Sequence, residues 1–250
     1  MSNDLLKAAQ RIKGASRLVV LTGAGISKES GIPTFREAQD GLWAQYDPME
    51  MASERGFLRN PKLVWEWYEY RFGMVACAQP NPGHRAIAAL EEIAYAVTVV
   101  TQNIDGLHQA GGSTRVLELH GSIRRYKCFS GKHTGYTRVD LAGQTEKPPR
   151  CPACGDLIRP DIVWFGEYLP EQVIRDAYDA CRVAEVALVV GTSGVVQPAA
   201  SLPYIAQDTG ATVIDVNPEA DEISGMADIY LRGKGGDVLP QLIEAVRSLR

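Results

Sequence analysis

The chain has 250 residues, 45% of them hydrophobic and 22% charged, with a mean hydropathy of −0.14. That balance suits a soluble globular protein of one large domain, or one large and one small, long enough to bury its core without covalent staples. A net charge of −4 and an isoelectric point of about 5.6 argue against a broad basic face, so no direct nucleic-acid partner is expected.

Residues 1–7 lack the basic and apolar regions of a secretory signal. No apolar run approaches the roughly 18–20 residues needed to span a bilayer, so no membrane partner is expected. Five cysteines, an odd number, fit thiols or metal ligation in a reducing compartment better than a disulfide framework. The expected location is the cytoplasm.

In chain order, an amphipathic pattern predicts a helix over 5–13, and an apolar β-branched run predicts a strand over 18–21. Residues 38–80 are rich in aromatics, among them Trp43, Tyr46, Trp65, Trp67, Tyr68 and Tyr70, and are expected to be helical. A helix follows over 84–93, then strands over 97–101 and 116–119. Residues 123–163 hold three cysteines and many basic side chains with no clear helical period. Beyond them come a helix over 170–183, strands over 186–190, 213–216 and 229–231, and a helix over 239–249.

Strand and helix alternation implies an α/β fold, a Rossmann-like doubly wound parallel sheet. The two irregular stretches would form a smaller inserted module, a helical segment plus a zinc-ribbon-like segment. The expected division gives 1–37, 81–122 and 164–250 to the nucleotide-binding domain and 38–80 and 123–163 to the module. Ligands in such sheets bind beyond the carboxyl ends of the strands. Polar and glycine-bearing segments follow five strands there: Gly23-Ala24-Gly25, Gln102-Asn103-Ile104-Asp105, His120-Gly121, Gly191-Thr192-Ser193 and Asn217-Pro218-Glu219.

Glycines after the first strand would let backbone approach a phosphate. The usual dinucleotide fingerprint wants a third glycine where this chain has Lys28, which disfavours an ordinary dehydrogenase. The longer string from Gly23 through Ser27 and Phe35 to Arg36 resembles the NAD-binding loop of the sirtuin family. Residues 101–108, His120-Gly121 and residues 191–198 match further sirtuin motifs in order and spacing.

The resemblance implies an enzyme that consumes NAD to remove acyl groups from lysines of protein or peptide substrates. Nicotinamide, free lysine and O-acyl-ADP-ribose would be the products. His120 would be the catalytic general base, with Asn103 and Asp105 in the nicotinamide pocket and Gln102 near the ribose. Gly23, Ala24, Gly25, Ser27, Phe35, Arg36, Ile104, Gly191, Thr192, Ser193, Asn217, Glu219 and Gly235 would complete the cofactor contacts. Val163, Trp164, Phe165 and Gly166 would form the groove where substrate backbone adds as a strand.

Cys151 and Cys154, spaced Cys-x-x-Cys, are half of a zinc site. Cys128 supplies a third thiolate, but Gly131 stands where the family's fourth cysteine would be. His133 is the candidate to complete a structural Cys₃His set. Tyr68 and Arg71 stand three residues apart, on one helix face. They resemble the pair in the sirtuin subgroup that removes succinyl and malonyl groups, where arginine and tyrosine can grip a carboxylate. A plain deacetylase, a protein mono-ADP-ribosyltransferase and a non-catalytic NAD sensor remain as other readings. The sequence leaves the oligomeric state open, a monomer included.

Overall fold

A computed structural model of the chain describes residues 2–34 and 46–249; Trp43, Phe35 and Arg36 lie outside the described residues. Six parallel strands form the main sheet: β1 Arg17–Thr22, β2 Ala96–Thr101, β3 Val116–Glu118, β6 Val186–Val190, β7 Thr212–Asn217 and β8 Ile229–Arg232. Their order is β3-β2-β1-β6-β7-β8. Chain direction along the sheet therefore reverses between β1 and β6, and a crevice opens there beyond the strand ends.

The four central strands, β2, β1, β6 and β7, are buried on both faces, which is why the sequence there reads as apolar runs rather than as alternation. On one face Val20, Val99, Leu188 and Ile214 pack against helices α1 (Asn3–Lys13), α5 (Pro82–Ala89) and α10 (Gly235–Ser248). On the other, Val19, Leu21, Val189 and Val213 pack against α7 (Glu171–Val183), α8 (Leu202–Asp208) and α9 (Glu222–Met226). Helix α1 shows the cause in miniature. Ser2 caps its N-terminus by accepting from the Leu5 amide, and Leu5, Ala8, Ala9 and Ile12 recur at helical spacing on the buried side. Burying Ile12 fully contributes about 1.5–3 kcal/mol.

The smaller module has a core of its own. Helices α2 (Pro48–Met51), α3 (Glu54–Arg59) and α4 (Pro61–Cys77) supply Met51, Phe57, Val64, Trp67, Tyr68 and Val75. Asn60 caps α4 and Pro61 opens it, a common pairing at a helix start. The cysteine-bearing stretch holds an antiparallel ribbon that the sequence pattern does not announce, β4 (Gly121–Cys128) with β5 (Ile158–Ile162). The expected division at 122/123 falls inside β4. Leu107 and Trp164, expected in the larger domain, are packed into the module's core. Among the described residues no helix is long and apolar enough to cross a membrane.

Candidate active site

Between the sheet and the module lies a cleft of about 1660 Å³. Every sequence-predicted cofactor and substrate residue that the structure describes lines it, from Gly23, Ala24, Gly25 and Ser27 to Glu219 and Gly235. The floor is backbone. A Cβ on Gly25 would lie 2.6 Å from the Gly191 carbonyl oxygen, and Gly191 itself sits at φ +61°, so only glycine fits either place. After Gly23 the chain turns through a 3₁₀ helix, Ala24–Ser30, rather than an α-helix.

Two polar side chains fix that loop, Asn81 from the start of α5 and Glu29 from within the loop itself, and sequence reading missed both. Asn81 donates from Nδ2 to the Ile26 carbonyl at 2.7 Å while its Oδ1 caps α5, accepting from Gly83. Asn-Pro before a helical run was the available signal. Glu29 accepts from the Gly236 amide at 2.9 Å, joining the loop to the start of α10.

The second strand's end carries a tight polar set. Asn103 donates to the Gly23 carbonyl at 3.1 Å and to Ser27 Oγ at 3.0 Å. Ser27 in turn donates to Asp105 Oδ2 at 2.8 Å, and Leu107 N–H, at the start of α6 (Leu107–Ala110), donates to Asp105 Oδ1 at 2.9 Å. Burial pushes the Asp105 carboxyl above its ordinary range, with the Leu107 and Ser27 hydrogen bonds opposing.

His120 emerges between β3 and β4. Its Nδ1 lies 2.9 Å from the Gln102 carbonyl oxygen, which can only accept, so Nδ1 carries the proton and Nε2 keeps its lone pair. Burial lowers its pKa, with the Gln102 contact working the other way, so the ring is neutral at pH 7. A neutral imidazole with a bare Nε2 at the cleft is equipped to accept a proton.

His108 is buried and bonds to Thr22 of β1, Nε2 to Oγ1 at 2.9 Å, with its ring tilted 60° against His84 at 4.9 Å between centroids. Both rings are buried, which lowers His84 to about 4 and His108 to about 3. A histidine buried neutral takes up its proton more readily when unfolded. The stability it contributes is complete above the unfolded value of about 6.5 and drains as pH falls toward 4. The pair is thus expected to lower the thermal midpoint between about pH 6.5 and 4, while Asp215, buried and raised to about 7, works the other way. The difference between wild type and His84→Gln across that window reads the pair alone, and a difference that does not change with pH would show it to be inert.

From the module side, Tyr68 and Arg71 on α4 both face the cleft. Tyr68 is buried and accepts from Trp164 Nε1–H at 3.0 Å; burial holds its phenol well above the usual range. Arg71 is half-buried over the Trp67 ring, its guanidinium carbon 5.1 Å from the centroid. Val163, Trp164, Phe165 and Gly166 line the cleft too, with Trp164 directly against Tyr68.

The predicted metal ligands also converge. Cys128 ends β4, and His133 lies in the turn after it. Cys151 and Cys154 occupy the turn leading into β5. All four ligand atoms lie within 4.8 Å of one another. His133 Nδ1 is 3.7 Å from Cys128 Sγ and 3.6 Å from Cys151 Sγ. Bonds of about 2.3 Å to sulfur and about 2.0 Å to nitrogen in a tetrahedron put S and N about 3.6 Å apart, so this set fits zinc, with His133 as fourth ligand. Burial raises the Cys151 thiol, but the Tyr136 hydroxyl and the Ala153 and Cys154 amides outweigh it and bring it to about 6. Such a closed site holds structure and leaves no open position for chemistry. Metal analysis is expected to find about one zinc per chain, and stripping it to lower the thermal midpoint and release the β4–β5 ribbon. An unchanged melt after complete removal would mean that the ribbon holds itself.

The Sir2 family model matches residues 23–198, the span that carries four of the five crevice loops, His120 and the cysteines. The chain belongs to the Sir2 family. An NAD-dependent protein deacylase of Pyrococcus furiosus is 49% identical over 238 residues, covering 94% of this chain and 95% of that protein. NAD-dependent protein deacylase 1 of Pseudomonas aeruginosa is 48% identical, covering 93% and 95%. Among solved structures, a Sir2 homolog–NAD complex superposes with a TM-score of 0.90 at 45% identity, covering 99% of this chain and 94% of that one. Sir2Af2 bound to a myristoylated histone peptide gives 0.79 at 38% identity, covering 99% and 98%.

Proposed function

We propose that this Sir2 protein, an NAD-dependent protein-lysine deacylase, prefers acidic acyl groups such as succinyl and malonyl. The observation that carries the preference is the placement of Tyr68 and Arg71 together on the cleft wall. An acyl carboxylate could take two parallel hydrogen bonds from the guanidinium and one from the phenol, none of which an acetyl methyl can use. A site built to pair a polar group discriminates strongly, because its own groups are otherwise left unmatched.

NAD supplies the ADP-ribosyl group that accepts the acyl group when bound. The protein's part follows from its geometry. Gly23, Gly25 and Gly191 let the two strand-end loops close against each other at the phosphate end, while Ser193, Asn217 and Glu219 mark the adenosine end. Asn103, Ser27 and Asp105 brace one another around the nicotinamide pocket. His120 holds Nε2 free to take a proton from a ribose hydroxyl, with its other nitrogen tied to Gln102. The segment 163–166 receives the substrate backbone, a mode that reads little side-chain identity. A cytoplasmic setting belongs to the same proposal and is supported by five free cysteines.

The test is a pair of peptides differing only in succinyl-lysine or acetyl-lysine, incubated with and without NAD and read by mass spectrometry. Faster NAD-dependent loss of succinyl is expected. Faster acetyl removal would reduce Tyr68 and Arg71 to packing.

A further inference from the structure

Tyr68 reaches the cleft from α4, but the sense of its hydrogen bonding is decided by the neighbouring segment that carries Trp164. Trp164 Nε1–H lies 3.0 Å from the Tyr68 hydroxyl oxygen. An indole N–H can only donate, so at this contact the phenol accepts. Its own proton is left over, and among the described residues no second hydrogen bond takes it. The two rings lie nearly parallel, 25° apart with centroids 6.4 Å away.

The indole itself is firmly held. The Arg159 guanidinium carbon stands 3.2 Å from its ring centroid, and Arg159 is almost wholly buried. Arg159 pairs with Glu167, Nη2 to Oε2 at 3.1 Å, and the same Oε2 accepts the Trp164 amide at 2.9 Å. Arg159 Nη2 also donates to the Ile162 carbonyl at 2.9 Å. Phe57 packs on the indole at 5.3 Å between centroids. A buried cation with this many bonds fixes the ring plane, and with it the direction of the N–H.

We propose that Trp164 is the positioning residue for acyl specificity: its indole N–H forces the Tyr68 hydroxyl to donate into the acyl pocket. Phenol and guanidinium then present donors alone. A terminal carboxylate, which only accepts, satisfies both. Its uncharged amide isostere brings donors of its own and is rejected. This rests on the acidic-acyl reading above and adds to it a second discrimination, carboxylate against carboxamide.

The experiment compares kcat/KM for succinyl-, succinamyl- and acetyl-lysine peptides in the wild type, Trp164→Phe, Tyr68→Phe and the double variant. Trp164→Phe keeps the ring and removes the N–H, freeing the Tyr68 hydroxyl to accept. The succinyl-to-succinamyl ratio is expected to fall about fivefold, one hydrogen bond's worth, and mainly through KM. In the Tyr68→Phe background the same change should shift that ratio no further. Benzothienylalanine at position 164, which exchanges N–H for sulfur in the same shape, should reproduce the effect should phenylalanine disturb folding. Equal losses on all three peptides, or an additive double variant, would overturn the role of Trp164. A wild type with no preference for succinyl over acetyl would overturn the acidic-acyl reading first, and that result is visible before any variant is made.

Discussion

His120→Ala is expected to slow NAD-dependent deacylation about 10²–10⁴-fold, the usual contribution of a positioned general base. Two observations set that expectation. The Gln102 carbonyl holds the proton on Nδ1, and burial keeps the ring neutral near pH 7. The same features predict an acid limb in the rate profile, with activity falling as His120 protonates below its ordinary value. Circular dichroism should find the variant folded, because His120 contributes one hydrogen bond and little core. Substantial turnover by the folded variant would sink the assignment.

Arg71→Met is expected to lower the succinyl-to-acetyl ratio of kcat/KM about ten- to a hundredfold. That is what losing one or two charge-assisted hydrogen bonds of about 1.5–3 kcal/mol would do. Methionine keeps an unbranched side chain of similar reach over Trp67, so packing is largely preserved. Burial lowers the Arg71 pKa, with Tyr68 and Asp105 opposing, which makes an anionic acyl group a welcome neighbour. Equal losses on both peptides would mean that the arginine supports α4 and does not read the acyl group.

Much of this site could be read without coordinates, and the reason is local. Strands buried on both faces leave contiguous apolar runs, so Val186–Val190 was legible to the residue. The loops between them carry the glycines and amides that the crevice needs. What stayed hidden depends on partners far along the chain. The β4–β5 ribbon carries Arg125 and Lys127, whose charges mask any alternation until Asp161 pairs with both. A register shift between Ser122 and Tyr126 and the presence of Pro160 blur it further. Helix α10 starts at Gly235 rather than near Leu239, and the amide of Gly236 is satisfied by Glu29, 207 residues away. His133, by contrast, was named from the sequence, and the turn after Cys128 does bring its ring to the thiolates.

The bare-backbone floor has a consequence for how such an enzyme can diversify. Gly23, Gly25 and Gly191 pack so closely that a side chain on any of them would strike its neighbour's main chain. At these three glycines the cofactor end can therefore change only by breaking. On the acidic-acyl reading proposed above, the acyl end is written in side chains on a separate helix, α4, with a core of its own. Drift and selection are funnelled to that wall. A lineage can exchange one acyl mark for another by rewriting two or three positions there, while the cofactor grip passes down unchanged.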